Sequence, residues 1–138
     1  MNKLHVYGVC AFSLLAGMAL ASTAVKPSGI ERHEALRHDL DSVGREVVQV
    51  RVAFAPGAAF GMHTHPGVEV AYVLEGTLEY AFVGKPPVTL QAGESLYIPA
   101  GTAHAAHNPG STRAAELATY LVEKGKPIVV PYLPPAAR

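Results

Sequence analysis

From Ser28 onward the chain is divided into short apolar runs by clusters of turn-forming residues, and this punctuation limits the fold more than any other feature. The separators are Pro56-Gly57, Gly76-Thr77, Gly84-Lys85-Pro86-Pro87, Ala92-Gly93-Glu94, Pro99-Ala100-Gly101 and Pro109-Gly110-Ser111. Each supplies residues suited to reversing the chain. The runs between them are too short for typical helices. In Glu46 to Ala55, Val48, Val50, Val52 and Phe54 alternate with Gln49 and Arg51, the period of a half-buried strand. Further strands are predicted over Val68 to Leu74, Leu78 to Val83, Val88 to Leu90, Ser95 to Ile98, Ala103 to Asn108 and Ala114 to Val122. Evenly spaced short strands of this kind form an antiparallel barrel or sandwich.

The ends of the chain read differently. Met1-Asn2-Lys3 is positive, Val6 to Leu20 is almost wholly apolar, and small residues follow at Ala19-Leu20-Ala21 and Ser22-Thr23-Ala24. This pattern predicts a secretory signal peptide over residues 1–24, and hence a periplasmic or secreted protein with no membrane attachment after cleavage. The single cysteine, Cys10, falls inside it, so stability is expected to come from packing without a disulfide. Residues 25–138 then form one domain, with a core over 45–124 and an extended Pro-rich tail over 125–138. Ile128 to Val130 in that tail would suit an edge strand, on this chain or a partner subunit. Glu31 to Leu40 fits either a strand or a helical turn and is read as an opening strand. Lys and Arg together number 11 and Asp and Glu 11, with no basic cluster, which argues against a nucleic-acid partner.

The chemistry is concentrated in four residues. His63 and His65 lie two apart on a predicted strand, so their side chains leave the same face. Glu69 follows on the same parity after the Pro66-Gly67 bend, and His104 arrives on a later strand that a closed barrel could set beside the first. Three imidazoles and a carboxylate suit one divalent ion among Mn, Fe, Co, Ni, Cu and Zn. They disfavour calcium, which prefers oxygen ligands. Four protein donors leave about two positions open on a six-coordinate ion. His107 has the opposite parity and is excluded as a ligand, while His33 and His38 are expected to be solvated. Tyr72, Tyr80, Tyr97, Phe60 and Met62 are read as core or interface packing. The strand Val68 to Leu74 is apolar on both faces, which predicts a homodimer.

These segments resemble the two conserved motifs of the cupin superfamily. Gly57, five residues, His63-Thr64-His65, three residues, Glu69, six residues and Gly76 match the first. Gly93, five residues, Pro99-Ala100-Gly101, two residues, His104, three residues and Asn108 match the second. The resemblance implies an antiparallel double-stranded β-helix (jelly-roll) barrel whose metal ligands are His63, His65, Glu69 and His104. In that picture the glycines relieve strain at barrel corners, Pro99 fixes the turn that delivers His104, and Asn108 ties down a turn.

Two functions follow as expectations. One is a metal-dependent enzyme on a small organic molecule, of dioxygenase, lyase or isomerase type, with Glu69 also taking a substrate proton. The other is a non-catalytic module that binds a small ligand, a sugar or the metal itself. No acid or base beyond the ligands is identifiable in the sequence.

Overall fold

The structure is a computed structural model, and it describes residues 28–40 and 44–134. The signal-peptide segment, Cys10 and the last four residues lie outside the described part. Ten strands and no helix are present among the described residues: β1 (Ile30–Asp39), β2 (Arg45–Phe54), β3 (Ala59–Thr64), β4 (Val68–Glu75), β5 (Thr77–Phe82), β6 (Lys85–Gln91), β7 (Ser95–Ile98), β8 (His104–His107), β9 (Ala114–Glu123) and β10 (Val130–Pro131). They form two antiparallel five-stranded sheets, ordered β1-β2-β9-β4-β7 and β10-β3-β8-β5-β6. The architecture is all-β, a jelly-roll barrel.

Binary patterning sets which face of each strand turns inward. On β2, Val48, Val50, Val52 and Phe54 are buried, and on β9 the same parity buries Ala114, Ala118, Tyr120 and Val122. Each large apolar side chain so buried contributes about 1.5–3 kcal/mol, and slipping either strand by one residue would expose the whole set. That fixes the register. β2 and β9 pair without interruption from Arg45↔Glu123 to Phe54↔Ala114. Ala71 and Val73 of β4, Leu78 and Tyr80 of β5, Leu90 of β6 and Ile98 of β7 complete the core.

Two sequence expectations need adjustment. Pro86 and Pro87, read as part of a turn, belong to β6, a strand that pairs only with β5. At a sheet edge a missing N–H costs no ladder bond, which is why prolines are tolerated there. The tail strand, expected over Ile128 to Val130, is instead β10 at Val130–Pro131, and it pairs with β3 of the same chain at Val130↔Thr64 and Pro131↔His63. Residues Ala59–Thr64 form β3 despite lacking clean alternation, with a register shift between Phe60 and His63.

Gly67 is the joint at which the chain leaves the second sheet for the first. A Cβ there would sit 2.0 Å from the Leu121 carbonyl oxygen, so no other residue fits without moving β9. Gly76, with φ of 72°, makes the reverse passage from β4 to β5, and its Cβ position lies 2.8 Å from the Arg113 carbonyl oxygen.

Candidate metal centre

His63, His65, Glu69 and His104 converge inside the barrel, all buried, at 7%, 2%, 3% and 2% exposure. Their origins differ from the parity argument. His63 is on β3, but His65 lies one residue beyond its end, and Glu69 is on β4 in the other sheet. His104 arrives on the later strand β8, which lies beside β3 as a closed barrel allows, and it is the cross-strand partner of His63. The register shift in β3 and the Gly67 bend bring together what simple alternation would not.

The imidazoles are close and held. Ring centroids are 4.8 Å apart for His63 and His65, 4.3 Å for His63 and His104, and 5.1 Å for His65 and His104. One ligand nitrogen from each of the three lies within 4.8 Å of the others. In each ring Nδ1 faces a backbone carbonyl: Gly61 at 2.8 Å, Ile128 at 2.5 Å and Thr102 at 2.9 Å. A carbonyl oxygen can only accept, so Nδ1 carries the proton and donates. In the neutral ring this leaves Nε2 as a bare lone pair. Such outer hydrogen bonds are the usual way in which metal-ligating histidines are oriented.

The fourth donor completes the argument. Glu69 Oε2 lies 2.8 Å from His65 Nε2 and 3.2 Å from His104 Nε2. Yet His65 Nε2 and Glu69 Oε2 are buried with no hydrogen-bond partner. The pair is near in distance but misdirected for a hydrogen bond, and a shared cation would satisfy both atoms. Burial works to raise the Glu69 pKa, but the His104 and His65 side chains outweigh it and lower it to about 2. Burial pushes the His63 ring down to about 4. Burial also works to lower His104, yet the Glu69 carboxylate prevails and raises it. A cation arriving at the site would displace the proton that Glu69 otherwise draws to His104.

Beside these donors is a cavity with room for about one water molecule. Its apolar wall includes Val52, Phe54, Phe60 and Ala106. Arg32, on exposed β1, lies over the Phe60 ring at 5.4 Å. Two further polar residues line the cavity that the sequence reading passed over. Glu116 is fully buried on β9 and accepts a hydrogen bond from the Tyr80 hydroxyl of β5. An acid beyond the ligands is therefore aimed at the pocket. Burial first, and then the Glu69 charge, raise the Glu116 pKa to about 7. Burial, followed by the same charge, holds the Tyr120 phenol well above its usual value. The signal for Glu116 was available: it is a carboxylate on the inward parity of an apolar strand, between Ala114 and Ala118.

The remaining candidates separate cleanly. His107 is outside the cluster, and His33 and His38 are exposed. Tyr80 and Phe60 line the cavity, whereas Tyr72, Tyr97 and Met62 are on the surface and not in the core. Asn108 donates to the carbonyls of Phe54, Ala55 and Thr112 and accepts from the Gly110 amide, closing the turn after β8.

Comparison with known proteins agrees with this geometry. A family model described as "Cupin domain" matches residues 50–126. Germin-like protein 1 of Brassica napus is 33% identical over 106 residues, covering 73% of this chain and 48% of that protein. The chain thus spans about half the length of the curated relatives it matches. Among solved structures, a recombinant oxalate oxidase in complex with glycolate superposes with TM-score 0.61 at 28% identity, covering 80% of this chain and 59% of that one. A conserved protein with a double-stranded β-helix domain from Klebsiella pneumoniae subsp. pneumoniae shares the fold with TM-score 0.63 at 20% identity, covering 76% of this chain and 87% of that one. The matched span runs from the middle of β2 through both histidine segments to just past the end of β9, and the protein is a member of the cupin family.

Proposed function

We propose that this protein is a metal-dependent cupin enzyme that acts on a small organic acid outside the cytoplasm. The observation that carries the reading is the convergence of three imidazoles, each with Nδ1 committed to a carbonyl, on a buried carboxylate oxygen with no hydrogen-bond partner. His63, His65, Glu69 and His104 would hold one divalent transition-metal ion. When bound, that ion supplies a Lewis-acidic centre, and a redox centre where the metal allows. The chain's own residues do the rest. Glu69 is a ligand and, in a second role, the acceptor of a substrate proton. Phe60, Val52, Phe54 and Ala106 exclude bulk water, which strengthens every charge interaction inside. Arg32 places a positive charge at the cavity wall, suited to an acid. The likeness to an oxalate oxidase that binds glycolate supports a substrate of few atoms.

One observation favours a second reading, a non-catalytic module that holds the metal or a very small ligand: the cavity has space for about one water. Elemental analysis of protein taken from its native compartment tests the common premise. We expect close to one ion per chain, of Zn or Cu on Irving–Williams grounds, and a loss of at least ~100-fold in affinity in His104→Ala. Metal content unchanged in that variant would end the proposal. A turnover screen of oxygen consumption and lyase activity across loaded metals separates the two readings. Tight ligand binding without turnover selects the module.

We also propose a homodimer through the outer face of β4 and its neighbours, where Tyr72, Leu74, Tyr97 and Leu121 are exposed. Light scattering that shows a monomer at high concentration removes it.

A further inference from the structure

The four candidate ligands are almost sealed from solvent, so an ion reaches them only when part of the wall opens. The strands around them are not equally held. Glu69 lies on β4, between β9 and β7, and His104 on β8, between β3 and β5. His63 lies on β3, whose outer neighbour is β10, the edge of the sheet. β10 meets β3 at two positions, and one of its two residues is Pro131, which has no N–H to give. The other edge strand beside a ligand, β7, pairs with β4 from Glu69 to Tyr72 and is pinned in the core by Ile98. Both residues of β10 are exposed.

The same segment covers His65. Its Ile128 carbonyl accepts from Nδ1 of that buried ring, while Pro127, Val130 and Pro131 face solvent. One layer of chain thus separates a ligand from water at this point. Besides the β10 pairing, that layer is held by the Tyr132 amide, which donates to the Met62 carbonyl at 3.1 Å, and by half-buried Ile128 against the core. Segments with few backbone bonds and little buried apolar surface open locally far more often than the whole chain unfolds. Resting on the metal-centre reading above, we propose that residues 127–134 form a strap whose local release from β3 is the route by which the metal ion enters and leaves the buried site. Such a route has a kinetic signature. Opening is common to entry and exit, so a change in its frequency alters both rates by one factor and leaves the equilibrium affinity alone. A segment that only orients His65 would change the affinity instead.

The test uses the full chain with Co(II) as the probe, visible absorbance reading both its uptake and its release to a chelator. Thr64→Cys and Val130→Cys, with the single native cysteine removed as Cys10→Ser, allow the strap to be tied to β3. Directly opposed residues of an antiparallel pair stand about 5.5 Å apart or less at Cα, within reach of a disulfide. With the disulfide closed, uptake and release should both slow at least ~10-fold, against the parent and against the same chain reduced and capped with iodoacetamide, at unchanged affinity. Ile128→Ala keeps the carbonyl and removes the packing, so it should speed both rates about tenfold. Rates indifferent to the disulfide, or an Ile128→Ala chain that changes in affinity but not in uptake rate, overturn the strap. A parent chain that takes up no Co(II) overturns the metal reading and this one with it. Normal uptake at rates that neither change alters overturns the strap alone.

Discussion

The two sheets contribute different chemistry and are built differently. The first contains the long strands, β1, β2 and β9 with 10 residues each, and its central ladder between β2 and β9 runs without irregularity. In the second no strand exceeds 7 residues, and the β3–β8 and β5–β6 ladders carry register shifts, as the outer β1–β2 and β4–β9 ladders of the first sheet also do. The long sheet contributes the oxygen groups Glu69, Glu116 and Tyr120. The short one contributes His63, His104 and Tyr80, with His65 just beyond its β3 strand. The unbroken β2–β9 ladder is a stiff centre, and the shift in β3 aims side chains at angles that a regular pleat does not offer. The division of labour is a frame with acids facing an adjustable wall with bases.

The joint between the sheets should be the most sensitive point. Gly67→Ala forces a methyl against the Leu121 carbonyl of β9, and a loss of about 4 kcal/mol in denaturant unfolding is expected. A loss below about 1 kcal/mol would mean that the two sheets adjust freely and would undo the frame-and-wall contrast.

The frame's buried acid comes next. The Glu116 pKa rises from 4.5 in the unfolded chain to about 7 when folded, so its contribution is present in full below about pH 4.5 and is lost as pH climbs through about 7. In metal-free protein, Glu116→Gln should therefore gain up to about 3 kcal/mol over wild type at pH 9 and little at pH 4. Thermal unfolding at both values reads the difference. A gain that is equal at the two would show that the acid is not suppressed by burial.

The adjustable wall can be loosened from outside. Removing residues 127–134 deletes the Ile128 carbonyl that accepts from His65 Nδ1 and strips β10 from β3. Metal affinity should fall about 10–100-fold with the barrel still folded. Unchanged affinity would show that the remaining wall orients His65 without help. The smallest effect belongs to the exposed rim of the frame. Lys124→Ala removes an ion pair to Asp39 whose members are 56% and 58% exposed, and should cost less than about 0.5 kcal/mol.

The same contrast explains what was legible beforehand. Regular strands announce themselves by alternation, so β2 and its inward face could be read directly from Val48, Val50, Val52 and Phe54, while β4 and β9 could be read as strands without their facing. The four converging residues could be named because their spacing is local and their chemistry unusual. The wall was harder. In β3 the shift between Phe60 and His63 breaks the two-residue period, so parity put His65 on the strand with His63 although β3 ends at Thr64. Glu116 escaped because one carboxylate in Ala-Ala-Glu-Leu-Ala looks like a surface residue until strand direction is known. The destination of the tail depends on contacts 63 positions apart in the chain, which no local pattern encodes.

That separation has a bearing on how the protein matures. His65 is synthesised 63 residues before Ile128, so the carbonyl that accepts from its Nδ1 is a backbone atom contributed late, by the tail that lies along β3.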